Sequence, residues 1–276
     1  MENVLITGTT SGFGKAFAEK FASMGNNIIL VSRDMHKLKQ QQLYLQNQYH
    51  VTVNFVAYDL TKEDAADFVM EQIDNWNIPI DFLVNNAGFN ECGLFSQTDI
   101  NKEIKMIDLH IRFITQLTKR ILAIMEKNNY GHILNIGSTG SFIPSPSDAV
   151  YSATKAYIMS FSNALYGEYR HTGIEITLLC PGATETEFAR KANIEQTLLF
   201  KFAVMKPDKV VKIAYPKIIK GKRLIIPGIY NKLLVFFSKI MPIDITNKQT
   251  NNDYDEQSLK ARWWYMSKLL LLTLLV

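Results

Sequence analysis

Three features of the chain predict a doubly wound α/β fold. Short apolar runs alternate with stretches of helical apolar spacing over most of its 276 residues. The first apolar run passes directly into a glycine-rich turn and then a helix. Length and a 47% hydrophobic content suit one large domain with a buried core. Alternation of this kind gives a parallel sheet, because parallel strands need crossover helices, and right-handed crossovers cover both faces. Ligands of such sheets bind outside the carboxyl ends of the strands.

Taken in order, Asn3 to Thr7 reads as a buried strand and Lys15 to Ser23 as the first helix. Asn27 to Ser32 and Val51 to Ala57 are the next strand-like runs, with Met35 to Gln48 helical between them. Ala65 to Asn75 is a third helix, Ile80 to Asn85 a fourth strand, and Asn101 to Lys127 a long helix. His132 to Gly137 and Ile174 to Cys180 continue the sheet on either side of a helix around Tyr151 to Arg170. Leu224 to Ile226 is a last strand, closed by Pro227-Gly228. Glu187 to Lys206 interrupts the pattern; it is helix-like, with apolar Phe188, Ile194, Leu198, Leu199 and Phe202. Beyond it, Gly228 to Ile240 is apolar and poor in charge, and Asn247 to Glu256 is polar and loop-like. A final helix with Trp263 and Trp264 leads to Leu269 to Val276. The organisation expected is a domain over 1–230, followed by an apolar helical extension over 231–276.

The first turn, Thr7-Gly8-Thr9-Thr10-Ser11-Gly12-Phe13-Gly14, carries glycines in the pattern Gly-x-x-x-Gly-x-Gly. Between a strand and a helix, such glycines let the backbone approach a pyrophosphate, and the helix N-terminus adds free N–H groups and a positive dipole end. Tyr151 and Lys155 lie four apart, so on a helix they share a face; Ser138 lies thirteen residues before Tyr151. A free phenol has a pKa of about 10. A neighbouring ammonium is expected to lower it and make a general acid/base for an alcohol proton. Taken alone, Tyr-x-x-x-Lys is common on solvated helices, and Ser138 reads equally as a turn serine.

Together with Asn85-Asn86-Ala87-Gly88, and with Pro181-Gly182 followed by Thr184 and Thr186, these segments resemble the short-chain dehydrogenase/reductase family in order and spacing. The resemblance covers about residues 1–230. It implies a Rossmann-like sheet, a nicotinamide cofactor and hydride transfer between carbonyl and alcohol. By resemblance, Tyr151 is the proton donor in reduction, Lys155 lowers its pKa and binds the nicotinamide ribose, and Ser138 polarises the carbonyl. Gly8, Ser11, Gly12, Phe13 and Gly14 hold the pyrophosphate. Asp59 and Leu60 meet the adenine, with an N-cap role as the alternative for Asp59. Asn86, Ala87 and Gly88 pass beneath the adenosine side. Pro181 and Gly182 lie beside the nicotinamide, where Thr184 or Thr186 holds its carboxamide or phosphates. The resemblance makes 187–206 a lid over the substrate, against a plain surface helix pair as the alternative. A homodimer or homotetramer is expected through the helices of Asn101 to Lys127 and Tyr151 to Arg170.

The second strand ends in Ser32, where a site preferring NAD would place a carboxylate for the ribose hydroxyl. Ser32 leaves room for a phosphate, and the planar fork of Arg33 matches one. NADP(H) is therefore the expected cofactor, and Asp34 reads as facing solvent or capping the next helix. His110 stands where the family carries an Asn that bends its helix and holds a relay water. It is expected either to hold that water through a ring nitrogen or to leave the relay incomplete.

The formal net charge of +4 is scattered, with no basic stripe, which argues against nucleic acid. Two separated cysteines, Cys92 and Cys180, make no disulfide framework and fit a reducing cytosol. No signal peptide is expected, since the first strand begins at once. The last eight residues are apolar except Thr273, too few for the roughly 20 that span a bilayer. With Gly228 to Ile240 they leave three roles: packing on the core or a subunit, or contact with a membrane surface. Phe89, Asn90, Phe142, Ile143 and Phe188 are candidate pocket residues for a partly apolar carbonyl compound. The alternative to an enzyme is a nucleotide-binding sensor or scaffold that kept the fold.

Overall fold

The computed structural model describes residues 1–185 and 204–240. Thr186, Phe188, most of the 187–206 segment and the whole of 241–276 lie outside the described residues. Seven strands form one parallel sheet in the order β3-β2-β1-β4-β5-β6-β7. These are β1 (Asn3–Thr7), β2 (Asn27–Ser32), β3 (Val53–Ala57), β4 (Phe82–Asn85), β5 (Gly131–Ile136), β6 (Ile174–Leu179) and β7 (Leu224–Ile225). The order reverses between β1 and β4, the switch point at which a doubly wound sheet opens its ligand crevice.

The central strands are buried on both faces, which is why their runs read as nearly continuous apolar sequence. Alternate residues feed two cores. Leu5, Ile29, Val31 and Leu83 face α3 (Ala65–Trp76), α5 (Ile114–Asn128) and α6 (Ala149–Tyr169). Val4, Ile6, Ile28 and Leu30 face α1 (Gly12–Ser23), α2 (Met35–Tyr49) and α7 (Pro207–Ile218). Fully buried Phe21 meets Phe82 at 4.7 Å and Tyr215 at 5.2 Å between ring centroids, closing the second core.

The long helix expected over Asn101 to Lys127 is interrupted. It runs as α4 (Ile100–Ile107), a six-residue π-helical segment (Asp108–Phe113) and α5. A π turn inserts one extra residue and widens the helix, a feature frequent at functional sites, and His110 lies within it. The domain boundary expected at 230 falls inside a helix, α8 (Ile229–Ser238). Its Asn231 and Val235 are buried, so α8 packs as part of the domain. Met205, expected in a helical stretch, is instead extended and bridges Thr184.

Candidate active site

The carboxyl ends of β1, β4, β5 and β6 carry the site. After β1 the chain turns through Gly8, whose φ of +72° suits a glycine, and Gly12, with φ of +54°. A Cβ at Gly14 would lie 2.2 Å from the Gly8 carbonyl oxygen, so only glycine permits this closeness of turn and helix. Ser11 starts α1 but its side chain caps nothing, and the first amides of the helix have no intrahelical partner. This turn offers backbone N–H groups to an anion, and it fits a pyrophosphate. Phe13 anchors it from the side by packing against the second core.

Asn86 stitches β4 to the turn. Its amide nitrogen donates to the carbonyls of Thr7 at 2.8 Å and Gly8 at 3.1 Å. The Thr7 hydroxyl accepts from the amides of Asn86 and Ala87, both at 3.0 Å, and donates to the Val84 carbonyl at 3.3 Å. Thr7 is a supporting residue that reading the glycine pattern alone had missed. Ser32 lies beside the turn, its hydroxyl 3.1 Å from that of Thr10. Arg33 is exposed and has no hydrogen bond or ion pair among the described residues, so its guanidinium is free to meet a phosphate. Asp34 caps α2 by accepting from the Lys37 amide at 3.0 Å. Asp59 accepts from the Thr61 amide and hydroxyl, while Asp64 stands at the start of α3. The Leu60 side chain is buried in the first core, which leaves its main chain for any adenine contact.

The catalytic candidates converge where β5 ends and α6 begins. The Ser138 hydroxyl accepts from the Gly140 amide at 3.0 Å and bonds to the Tyr151 phenol. Ser138 thus orders its turn and reaches Tyr151 at once. The Lys155 ammonium donates to the Ile136 carbonyl at 3.0 Å and stands 5.7 Å from the centre of the Tyr151 ring. Thr139 donates its amide to the Pro181 carbonyl at 2.9 Å, tying this turn to Pro181-Gly182. A Cβ at Gly182 would strike Asn231 of α8 at 2.2 Å, so α8 backs this turn. Nothing in the sequence marked Asn231. The Thr184 hydroxyl donates to the Gly182 carbonyl at 3.0 Å, within the turn itself.

Burial dominates the electrostatics of the site. Burial of the phenol pushes the Tyr151 pKa up, well above 10, and the Ser138 hydrogen bond offsets this only in part. Burial pushes Lys155 down to about 8. Removing a phenolate from water is costly, so burial of Tyr151 works against the lowering expected from Lys155. The surroundings of His110 bear on the two alternatives expected for it. Burial, with Lys155 nearby, holds its pKa well below 6.5, so it stays neutral across the physiological range. Its ring accepts from the Phe89 amide at 3.3 Å through Nε2 and lies 2.9 Å from the Thr154 hydroxyl through Nδ1. Both nitrogens bind protein, which leaves neither for a relay water.

Asn90 donates to Asp148 at 2.8 Å, closing the loop after β4 onto the start of α6, and Phe89 and Phe142 pack at the edge of the first core. Lys239, at the end of α8, reaches over the Phe142 ring at 5.4 Å.

A parallel seven-stranded sheet with a glycine turn at its switch point defines a nucleotide-binding α/β protein of the Rossmann-like kind. The profile of the short chain dehydrogenase family matches residues 2–197, and the chain belongs to that family. Among known proteins it is 32% identical over 193 residues to very-long-chain 3-oxoacyl-CoA reductase of Mus musculus, over 68% of this chain and 61% of that one. It is 33% identical over 195 residues to 17-beta-hydroxysteroid dehydrogenase type 3 of the same species, over 70% of this chain and 63% of that one. The matches therefore span little more than three fifths of these relatives. Among solved structures, a short-chain dehydrogenase from Sphingobium yanoikuyae in complex with NADPH superposes with a TM-score of 0.78 at 29% identity, covering 87% of this chain and 95% of that one. A 7beta-hydroxysteroid dehydrogenase superposes with a TM-score of 0.82 at 25% identity, covering 91% and 96%.

Proposed function

We propose that the protein is an NADP(H)-dependent oxidoreductase that interconverts a carbonyl and an alcohol. The observation that carries the reading is the convergence of Ser138, Tyr151 and Lys155 where β5 meets α6. The glycine turn would hold the pyrophosphate, Arg33 the 2′-phosphate, and Lys155 the nicotinamide ribose. When bound, the nicotinamide supplies or accepts the hydride. Ser138 orients the substrate oxygen, and Tyr151 gives or takes its proton. The half-buried Phe89 and Phe142, and relatives named for an oxoacyl thioester and a hydroxysteroid, support a carbonyl on a large apolar body.

We also propose a homo-oligomer through α4, α5 and α6, working in a reducing cytosol, and peripheral contact with a lipid surface. Supporting the last, α8 turns Ile229, Leu233 and Phe236 outward, 48–74% exposed, and Ile240 just beyond its end is exposed too, with Lys232 and Lys239 beside them. Among the described residues no helix is long and apolar enough to cross a membrane.

The test is Tyr151→Phe, assayed with NADPH and a panel of bulky ketones. Turnover should fall by about three orders of magnitude while NADPH affinity is retained, because only the acid/base hydroxyl is removed. A variant that keeps most of its activity would remove Tyr151 from the reaction. A wild type that binds NADPH but turns over nothing in the panel would favour the sensor or scaffold reading.

A further inference from the structure

We propose that His110 is a positioning residue, fixed as the tautomer with its hydrogen on Nδ1, that joins the Gly88–Phe89 turn to the helix of Tyr151 and closes position 110 to any proton relay. Only its kinetic consequence rests on the oxidoreductase reading above.

The direction of each bond follows from its ends. The Phe89 amide can only donate, so Nε2, 3.3 Å away, carries no hydrogen. The hydrogen is therefore on Nδ1, which points at the Thr154 hydroxyl at 2.9 Å. That hydroxyl donates to the Tyr151 carbonyl at 2.8 Å, leaving its oxygen free to accept from His110. The run is Phe89 N–H to His110, His110 to Thr154, Thr154 to the Tyr151 carbonyl. It cannot reverse, because an amide N–H does not accept and a carbonyl does not donate.

The surroundings hold the ring in place. His110 is completely buried, and a Cβ on Gly88 would lie 2.7 Å from Nε2, so the turn rests directly on the imidazole. The Tyr151 ring meets it edge-on at 6.0 Å between centroids. Lys155 is the charge that faces it. The other nearby charges are engaged elsewhere: Asp108 with Arg112, Glu91 with Lys102, and Asp148 with Asn90. A second ring hydrogen would have to sit on Nε2, against the Phe89 N–H. His110 therefore neither gains nor passes a proton without breaking the run. What it supplies is a fixed distance between the turn after β4 and the first turn of α6, where Tyr151 is carried.

The direct test is nitrogen NMR of the full chain with labelled histidine, the His110 signals being assigned by their loss in His110→Gln. The Nδ1-protonated pattern should persist unchanged from about pH 5.5 to 8, a window around the ordinary histidine pKa. An Nε2-protonated pattern, or a titration near pH 6.5, would overturn the proposal. This readout needs no turnover, so it is separable from failure of the oxidoreductase reading.

In kinetics, Thr154→Val and His110→Ala should each lower turnover about tenfold at saturating cofactor. The double variant should be no worse than either, because both break one run. Thr154→Ser should recover most of the loss, as should His110→Gln, whose carboxamide can accept and donate together. The pH profile should keep its midpoint in all of them. Additive losses, or a wild-type inflection near pH 6.5 that His110→Gln abolishes, would refute the assignment. If His110→Ala fails to fold, the Thr154 pair carries the kinetic test alone.

Discussion

Lys155→Met should stop the enzyme and make the protein more stable. The Lys155 side chain is 5% exposed, and burial lowers its pKa from 10.5 to about 8. That drop corresponds to roughly 3 kcal/mol of strain in holding the ammonium folded. Against it stands the hydrogen bond to the Ile136 carbonyl, whose loss costs about 1–2 kcal/mol. Met is similar in length and uncharged, so the net gain is about 1–2 kcal/mol. For a domain of this size that raises the Tm by about 2–8 °C.

The sign of the pH dependence follows from linkage. Below pH 8 the lysine is protonated folded and unfolded, and the wild type bears the full penalty. Between 8 and 10.5 the unfolded state binds more protons, so wild-type stability rises with pH. The advantage of Lys155→Met should therefore be complete at neutral pH, shrink through this window and reverse above it, where the penalty is gone and only the lost hydrogen bond remains. Thermal melts of both proteins at about pH 7, 8.5 and 10 measure it, with NADPH turnover run alongside. A variant less stable at neutral pH, or a difference that ignores pH, would show that the ammonium is not strained by its burial.

Arg33→Ala should weaken NADPH binding at least tenfold and NADH binding little, since a charge-assisted contact to a phosphate is lost; fluorescence titration of both cofactors checks this, and equal losses would return the cofactor to undecided. Gly88→Ala should cost about 1–3 kcal/mol and lower turnover, because the new methyl lies 2.7 Å from a buried ring that cannot yield; denaturant unfolding and kinetics of one sample measure both. Leu233→Ser with Phe236→Ser should abolish flotation with anionic vesicles while leaving melting within about 1 °C, since both side chains are mostly outside the core; flotation unchanged in the variant would remove α8 from any lipid contact.

Much of the fold was legible in the chain. β1 and β2 were read with the bounds that the structure shows, and β3 and β4 began two residues later than expected. Such strands are short, nearly continuous apolar runs between turn residues, as a parallel sheet covered by helices requires. The glycine turn was legible because its conformation excludes side chains, as Gly8 and Gly14 demonstrate. That Ser138, Tyr151 and Lys155 belong together was visible from spacing and resemblance.

What only the tertiary structure decided is the state of those groups. A phenol four residues from a lysine reads as acidified, while enclosure by protein pushes the phenol up and the ammonium down, because each charged form loses its hydration. Whether His110 holds a relay water could not be read locally, because Phe89, 21 residues back, and Thr154, 44 residues on, are the groups that meet its two nitrogens. Local pattern sets which side chains a helix or turn presents. Hydrogen-bond partners and burial come from segments far apart in sequence, so the surroundings of Tyr151, Lys155 and His110 could not be read from local pattern.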